Sequence, residues 1–137
     1  MEENSKELAH AGSHGTLLHL EHLPIKSAKL RSAMKKFIVA WAKDLEDRGA
    51  VIGHVKMIAE TDVGVLKYSV VDTGLGAEVV DELRGDTVKK GTVKVMAAVL
   101  NLDDEEVEAS LDKELEPLDE QIGVHRAGHH CECEHEH

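Results

Sequence analysis

An α+β fold is the class the sequence predicts, and three observations predict it. One long segment has the apolar spacing of a helix, four segments have the alternation or short apolar runs of strands, and Gly, Pro or Asp punctuate the joins. At 137 residues the chain has the length of a single domain. With one Phe, one Trp and one Tyr, its core must be built from Val, Leu, Ile, Met and Ala.

Residues 1–15 are polar and hold Gly12, Ser13 and Gly15, so they are expected to be a mobile start. Thr16-Leu-Leu-His-Leu-Glu-His-Leu23 fits a strand, with Leu18 and Leu20 facing one way and His19 and Glu21 the other. His19 and His22, three apart, then lie on opposite faces and make a poor ligand pair. Pro24 and Ser27 mark a boundary, with Ser27 as the expected helix N-cap. Leu30, Met34, Phe37, Ile38, Trp41 and Leu45 recur at helical spacing up to Gly49, which predicts an amphipathic helix over 27–48 with its stripe in the core.

Residues 50–60 read as a strand with Val51, Val55, Met57 and Ala59 on one face. Thr61-Asp-Val-Gly64 is a turn and 65–71 a second strand, together a β-hairpin. His54, outward beside Lys56, reads as a surface residue. Asp72-Thr-Gly-Leu-Gly76 is a loop, and 77–84 is expected to be a short helix closed by Gly85. Residues 92–101 form the most apolar strand, expected at the sheet centre. Asp103 and Glu106 then give an acidic capping box for a helix over 104–115, its stripe Val107, Leu111 and Leu115, stopped by Pro117.

The first six elements have the β-α-β-β-α-β order of a ferredoxin-like fold, with both crossover helices on one face of a four-stranded antiparallel sheet. The helix at 104–115 is an addition that covers the other face or docks a partner. If 16–23 is not a strand, the alternative is a three-stranded sheet packed on helices. The expected organisation is a flexible 1–15, one domain over 16–118 and a disordered His/Cys/Glu-rich tail over 119–137. Removing 124–137 is expected to leave the fold nearly unchanged.

Charge divides the chain unevenly. Residues 1–102 hold fourteen acidic and fourteen basic side chains, whereas 103–137 hold thirteen acidic residues against Lys113 and Arg126, so the whole net charge of −11 arises there. Nucleic acid needs a basic face that this chain lacks. No apolar run is long enough for a membrane helix, and the first ten residues lack the features of a signal peptide. A cytoplasmic protein is expected, and there Cys-x-Cys is a thiol or metal ligand rather than a disulfide.

The last thirteen residues hold both cysteines and five of the ten histidines. Imidazole suits Zn, Ni, Co and Cu, and thiolate selects the softer end of that set. The candidate metal ligands are His129, His130, Cys131, Cys133, His135 and His137, with Glu132, Glu134 and Glu136 adding negative charge. Cys-x-Cys is too tight for the usual closed zinc site, which favours a capture segment over a structural one. The carboxylates of 103–116 lack the glycine of a calcium loop and read as a solvated face. No nucleophile elbow, phosphate loop or His-Glu-x-x-His occurs, and nothing stages catalysis. Two readings follow. One is a transition-metal-binding accessory protein, with zinc or nickel as ion, a recipient metalloprotein as possible partner and a homodimer as possible state. The other is a non-catalytic binding or oligomerisation module with the tail incidental.

Overall fold

In the computed structural model, which describes residues 11–127, the apolar segment at 91–100 is hydrogen-bonded on both sides. In order, the chain forms β1 (Ala11–Leu20), β2 (Ile25–Lys26), α1 (Ser27–Asp47), β3 (Val51–Thr61), β4 (Gly64–Val70), a 3-10 turn (Thr73–Leu75), β5 (Glu78–Asp81), β6 (Thr87–Val88), β7 (Gly91–Leu100), α2 (Asp104–Ile122) and β8 (Val124–Arg126). Six strands make one antiparallel sheet in the order β5-β4-β3-β7-β1-β8, and β2 pairs with β6 apart from it. The fold is α+β, and β7 is central as its composition predicts.

Alternation along β7 decides the layers. Val93, Val95, Ala97 and Val99 are buried beneath the helices, together with Leu18, Val55, Met57, Ala59, Leu66 and Val70 from neighbouring strands. The α1 stripe of Leu30, Met34, Phe37, Ile38, Trp41 and Leu45 is buried against this face, with the Phe37 and Trp41 rings in contact at 5.7 Å. Helix α2 packs beside α1 and over β1. Lys94, Met96 and Leu100 point to the opposite face, which no described helix covers.

Several expectations are corrected. The segment 77–84 is not a helix: Glu78–Asp81 is an edge strand on β4, all four residues exposed. Its valines suit a strand, and Asp81 is held to α1 by Arg31, whose Nε donates at 2.7 Å. That hydrogen bond keeps the Asp81 carboxyl below its ordinary value. The ferredoxin-like order therefore fails. The strand between β1 and β3 is β7, where the ferredoxin-like order puts the hairpin strand β4, and α2, the expected addition, supplies the second helix of the single layer. Six strands also exceed the three-stranded alternative.

Element ends move as well. Residues 11–15 are the first half of β1 rather than a mobile start. Ser27 is not the N-cap: Lys26 holds that position without a side-chain cap, and the Ser27 hydroxyl donates instead to the Gly85 carbonyl at 2.6 Å. A bulge between Ile52 and His54 swaps the faces upstream of it, so Val51 is 55% exposed where burial was expected. Pro117 does not stop α2, which runs on to Ile122. Interior proline costs about 3 kcal/mol, but Leu118 and Ile122 continue the Val107–Leu111 stripe into the core and offset it by burial. Asp103 is the N-cap as expected, accepting from the Glu106 N–H at 2.8 Å. The chain from 119 to 127 is thus part of the fold, with Val124 and Ala127 buried.

The two helices are pinned by one carboxylate. Asp44 of α1 accepts from the buried Ser110 hydroxyl at 2.6 Å, from Lys113 Nζ at 2.8 Å and from Arg48 Nε at 2.8 Å. Partial burial alone would push the Asp44 carboxyl up, but the hydrogen bonds from Lys113, Ser110 and Arg48 hold it down to about 2. A folded-state value below the unfolded one means the stabilisation is complete above pH ~4 and lost as pH falls through about 2. Asp44→Asn is expected to destabilise the protein by roughly 1–3 kcal/mol at pH 7 and to shrink that gap toward zero by pH ~2. Denaturant unfolding of both proteins across this window checks it, and a gap that is independent of pH would remove the carboxylate from this role.

Candidate metal centre

The histidine-bearing edge of the sheet is built by the turn after α2. Gly123 ends the helix at φ 70°, a left-handed conformation that suits glycine, and its N–H donates to the Asp119 carbonyl at 2.8 Å. The Asp119 carboxylate accepts from the Val124 N–H at 2.9 Å, and the Gly123 carbonyl accepts from the Glu21 N–H at 2.8 Å. These bonds aim three residues back along β1. The register sets Leu18 opposite Arg126, His19 opposite His125 and Leu20 opposite Val124.

Alternation then sorts the side chains. Val124 faces the core, and Arg126 meets Glu108 (3.3 Å) and Asp112 of α2 on the helix side. His19 and His125 stand on the uncovered face with ring centroids 5.5 Å apart and planes tilted by 40°. Nδ1 of His125 is paired with a carboxylate oxygen of Glu21. The side chains of His125 and Glu21 are 43% and 44% exposed, so an ion can reach them from solvent. Among the described residues no three His, Cys, Asp or Glu side chains converge as a complete metal site.

The sequence-predicted ligands His129, His130, Cys131, Cys133, His135 and His137 lie outside the described residues, as does His10. The other described histidines do not join the pair. His14 lies beside Ala97 in the register, and its Nε2 and that of His54 are buried with no hydrogen-bond partner among the described residues. His22 lies against Gly123, where a Cβ would come within 2.6 Å of its Nδ1. His54 is half-buried at the bulge rather than a plain surface residue.

Two grooves lie near these residues. One of about 210 Å³ is lined by Leu115, Glu116, Asp119, Val124, His125 and Arg126. The larger, about 300 Å³, is on the uncovered face between Leu17, Lys56, Ile58, Lys94 and Met96, and its described lining holds no His, Cys, Asp or Glu. The residues that sequence reasoning missed are His19 and His125 as a pair and Glu21 as partner. A signal existed in the strand parity of His19 and Glu21, but the pairing of residue 125 with residue 19 is set by tertiary structure.

No family model matches the chain, and no curated protein matches it. Among solved structures, a zinc(II)-bound triple mutant of the YjiA GTPase matches at 15% identity and a TM-score of 0.37. The match covers 74% of this chain and 29% of that one, so this chain spans under a third of its length. A likeness of that size establishes no shared fold.

Gly123→Ala should loosen the edge. A left-handed alanine costs roughly 1–2 kcal/mol, and the new Cβ must displace the His22 ring. The expected outcome is a lower thermal midpoint and faster hydrogen exchange at the β1–β8 amides than at the β3–β7 amides. Unchanged exchange at that edge would show that Gly123 does not hold β8 in register.

Proposed function

We propose that the chain is a transition-metal-binding accessory protein that captures, stores or delivers zinc, nickel, cobalt or copper through its His/Cys/Glu-rich end. The observation that carries this reading is the gathering of both cysteines and five of ten histidines into 125–137. One of those histidines, His125, belongs to the fold, and the others follow it in sequence. Thiolate and imidazole together select borderline and soft ions over magnesium or calcium, which seek oxygen. The proposed ligands are Cys131 and Cys133 as thiolates with imidazoles from His129, His130, His135 and His137. A recipient metalloprotein is the partner this role implies.

The uncovered sheet face favours a second reading. Val51, Val80, Met96 and Leu100 are between 39% and 55% exposed there, and an apolar sheet face of this kind suits a protein partner or a second copy.

Calorimetric titration under reducing conditions separates the two. Replacing both cysteines (Cys131→Ser with Cys133→Ser) is expected to weaken zinc and nickel at least tenfold and leave magnesium unaltered. Parent affinity is expected to fall below pH ~6.5, because imidazole binds a proton in competition with the ion. Equal zinc affinity in the two proteins would set the metal reading aside and leave the sheet face as the functional surface.

A further inference from the structure

We propose that His19 and His125 form a half-site for a borderline divalent ion on the folded edge of the sheet, with Glu21 as the positioning residue. The inference rests on the metal-binding reading for its class of ion, but its residues are others. They lie 106 positions apart in the sequence, and the β1–β8 register sets them side by side.

Geometry supports a shared ion. Imidazole nitrogen binds zinc at about 2.0–2.1 Å, so two imidazoles on one tetrahedral ion place their ring centroids roughly 5 Å apart. The observed 5.5 Å lies close to that value with the rings already tilted by 40°.

The second feature is the carboxylate. Metal-binding histidines commonly donate their other N–H to a carboxylate, which fixes the tautomer, orients the ring and raises ligand basicity. Glu21 stands in that relation to Nδ1 of His125, which assigns Nε2 as the coordinating atom. The Glu21 backbone is itself fixed by its N–H bond to Gly123, so the carboxylate is held by the same turn that places His125.

Two imidazoles leave a four-coordinate ion short of two donors, and no third ligand among the described residues completes the set. Water fills the remaining positions of an ion held by the two imidazoles at the edge.

The test uses the full-length, metal-free, reduced chain with zinc for affinity and cobalt(II) as paramagnetic probe. In one variant the six tail ligands are silenced, the cysteines to Ser and His129, His130, His135 and His137 to Ala. In another the edge is silenced (His19→Ala with His125→Ala), and a third combines both. The tail-silenced chain is expected to bind one equivalent of cobalt, with shifted His19 and His125 ring resonances. The combined variant should lose that binding. Edge silencing alone should lower the zinc bound by one equivalent, and Glu21→Gln in the tail-silenced chain should weaken binding about tenfold with the thermal midpoint unaltered. An edge variant with the parent isotherm, or a tail-silenced chain whose His19 and His125 resonances do not respond to cobalt, overturns the proposal. The resonance readout needs no edge substitution, so it decides the matter even if those variants fail to fold. Failure of the tail reading is seen separately, as parent affinity in the tail-silenced chain.

Discussion

Strand β7 is the constraint on which the rest depends. It is bonded to β3 along one edge and β1 along the other, so it fixes the register of both. One residue of slip would turn Val93, Val95, Ala97 and Val99 outward and bring Lys94 beneath the helices. Among the described residues β1 has no other strand partner over its first half, and β8 pairs with β1. The placing of His125 beside His19 therefore follows from the alternation of valines in β7, through two successive pairings. The position of the edge strand is thereby tied to the register of the sheet's centre.

The helix layer closes the same face from above. α1 and α2 share the Asp44 network, and α2 carries β8 at its end through Asp119, Gly123 and Arg126. The acidic residues of α2 are therefore not merely a solvated surface. Asp119, Glu108 and Asp112 face β8 and fix its backbone and Arg126. Their partners come from the strand that presents His125, so part of the chain's negative third builds this edge.

Where burial is strong and local, the sequence is readable. The α1 stripe and β7 are each long enough for their period to be unambiguous, and both were placed to within a residue or two. Misreadings fall where local pattern and tertiary context disagree. Residues 77–84 have helix-forming Glu, Leu and Arg, but pairing to β4 and the Arg31–Asp81 bond decide for a strand. Pro117 is a strong local stop, overridden because Leu118 and Ile122 still fall on the buried face. Val51 followed the alternation until a bulge shifted it. Strand β8 is three residues long and has no periodicity to read at all. For the candidate site, the clustering of His and Cys in 125–137 is legible from composition alone, whereas the meeting of His19, Glu21 and His125 is a long-range pairing that no local pattern announces. Short edge strands are where sequence patterns have least to offer, and this edge carries the histidines.

Zinc K-edge X-ray absorption of the loaded, reduced, full-length chain addresses the metal chemistry most directly, because it counts donor types around the ion. A zinc-binding role for thiolate and imidazole together predicts sulfur scattering near ~2.3 Å and imidazole scattering from nitrogen near ~2.0–2.1 Å in the same sample. A shell of oxygen alone, without sulfur and without the imidazole outer-shell pattern, would contradict it.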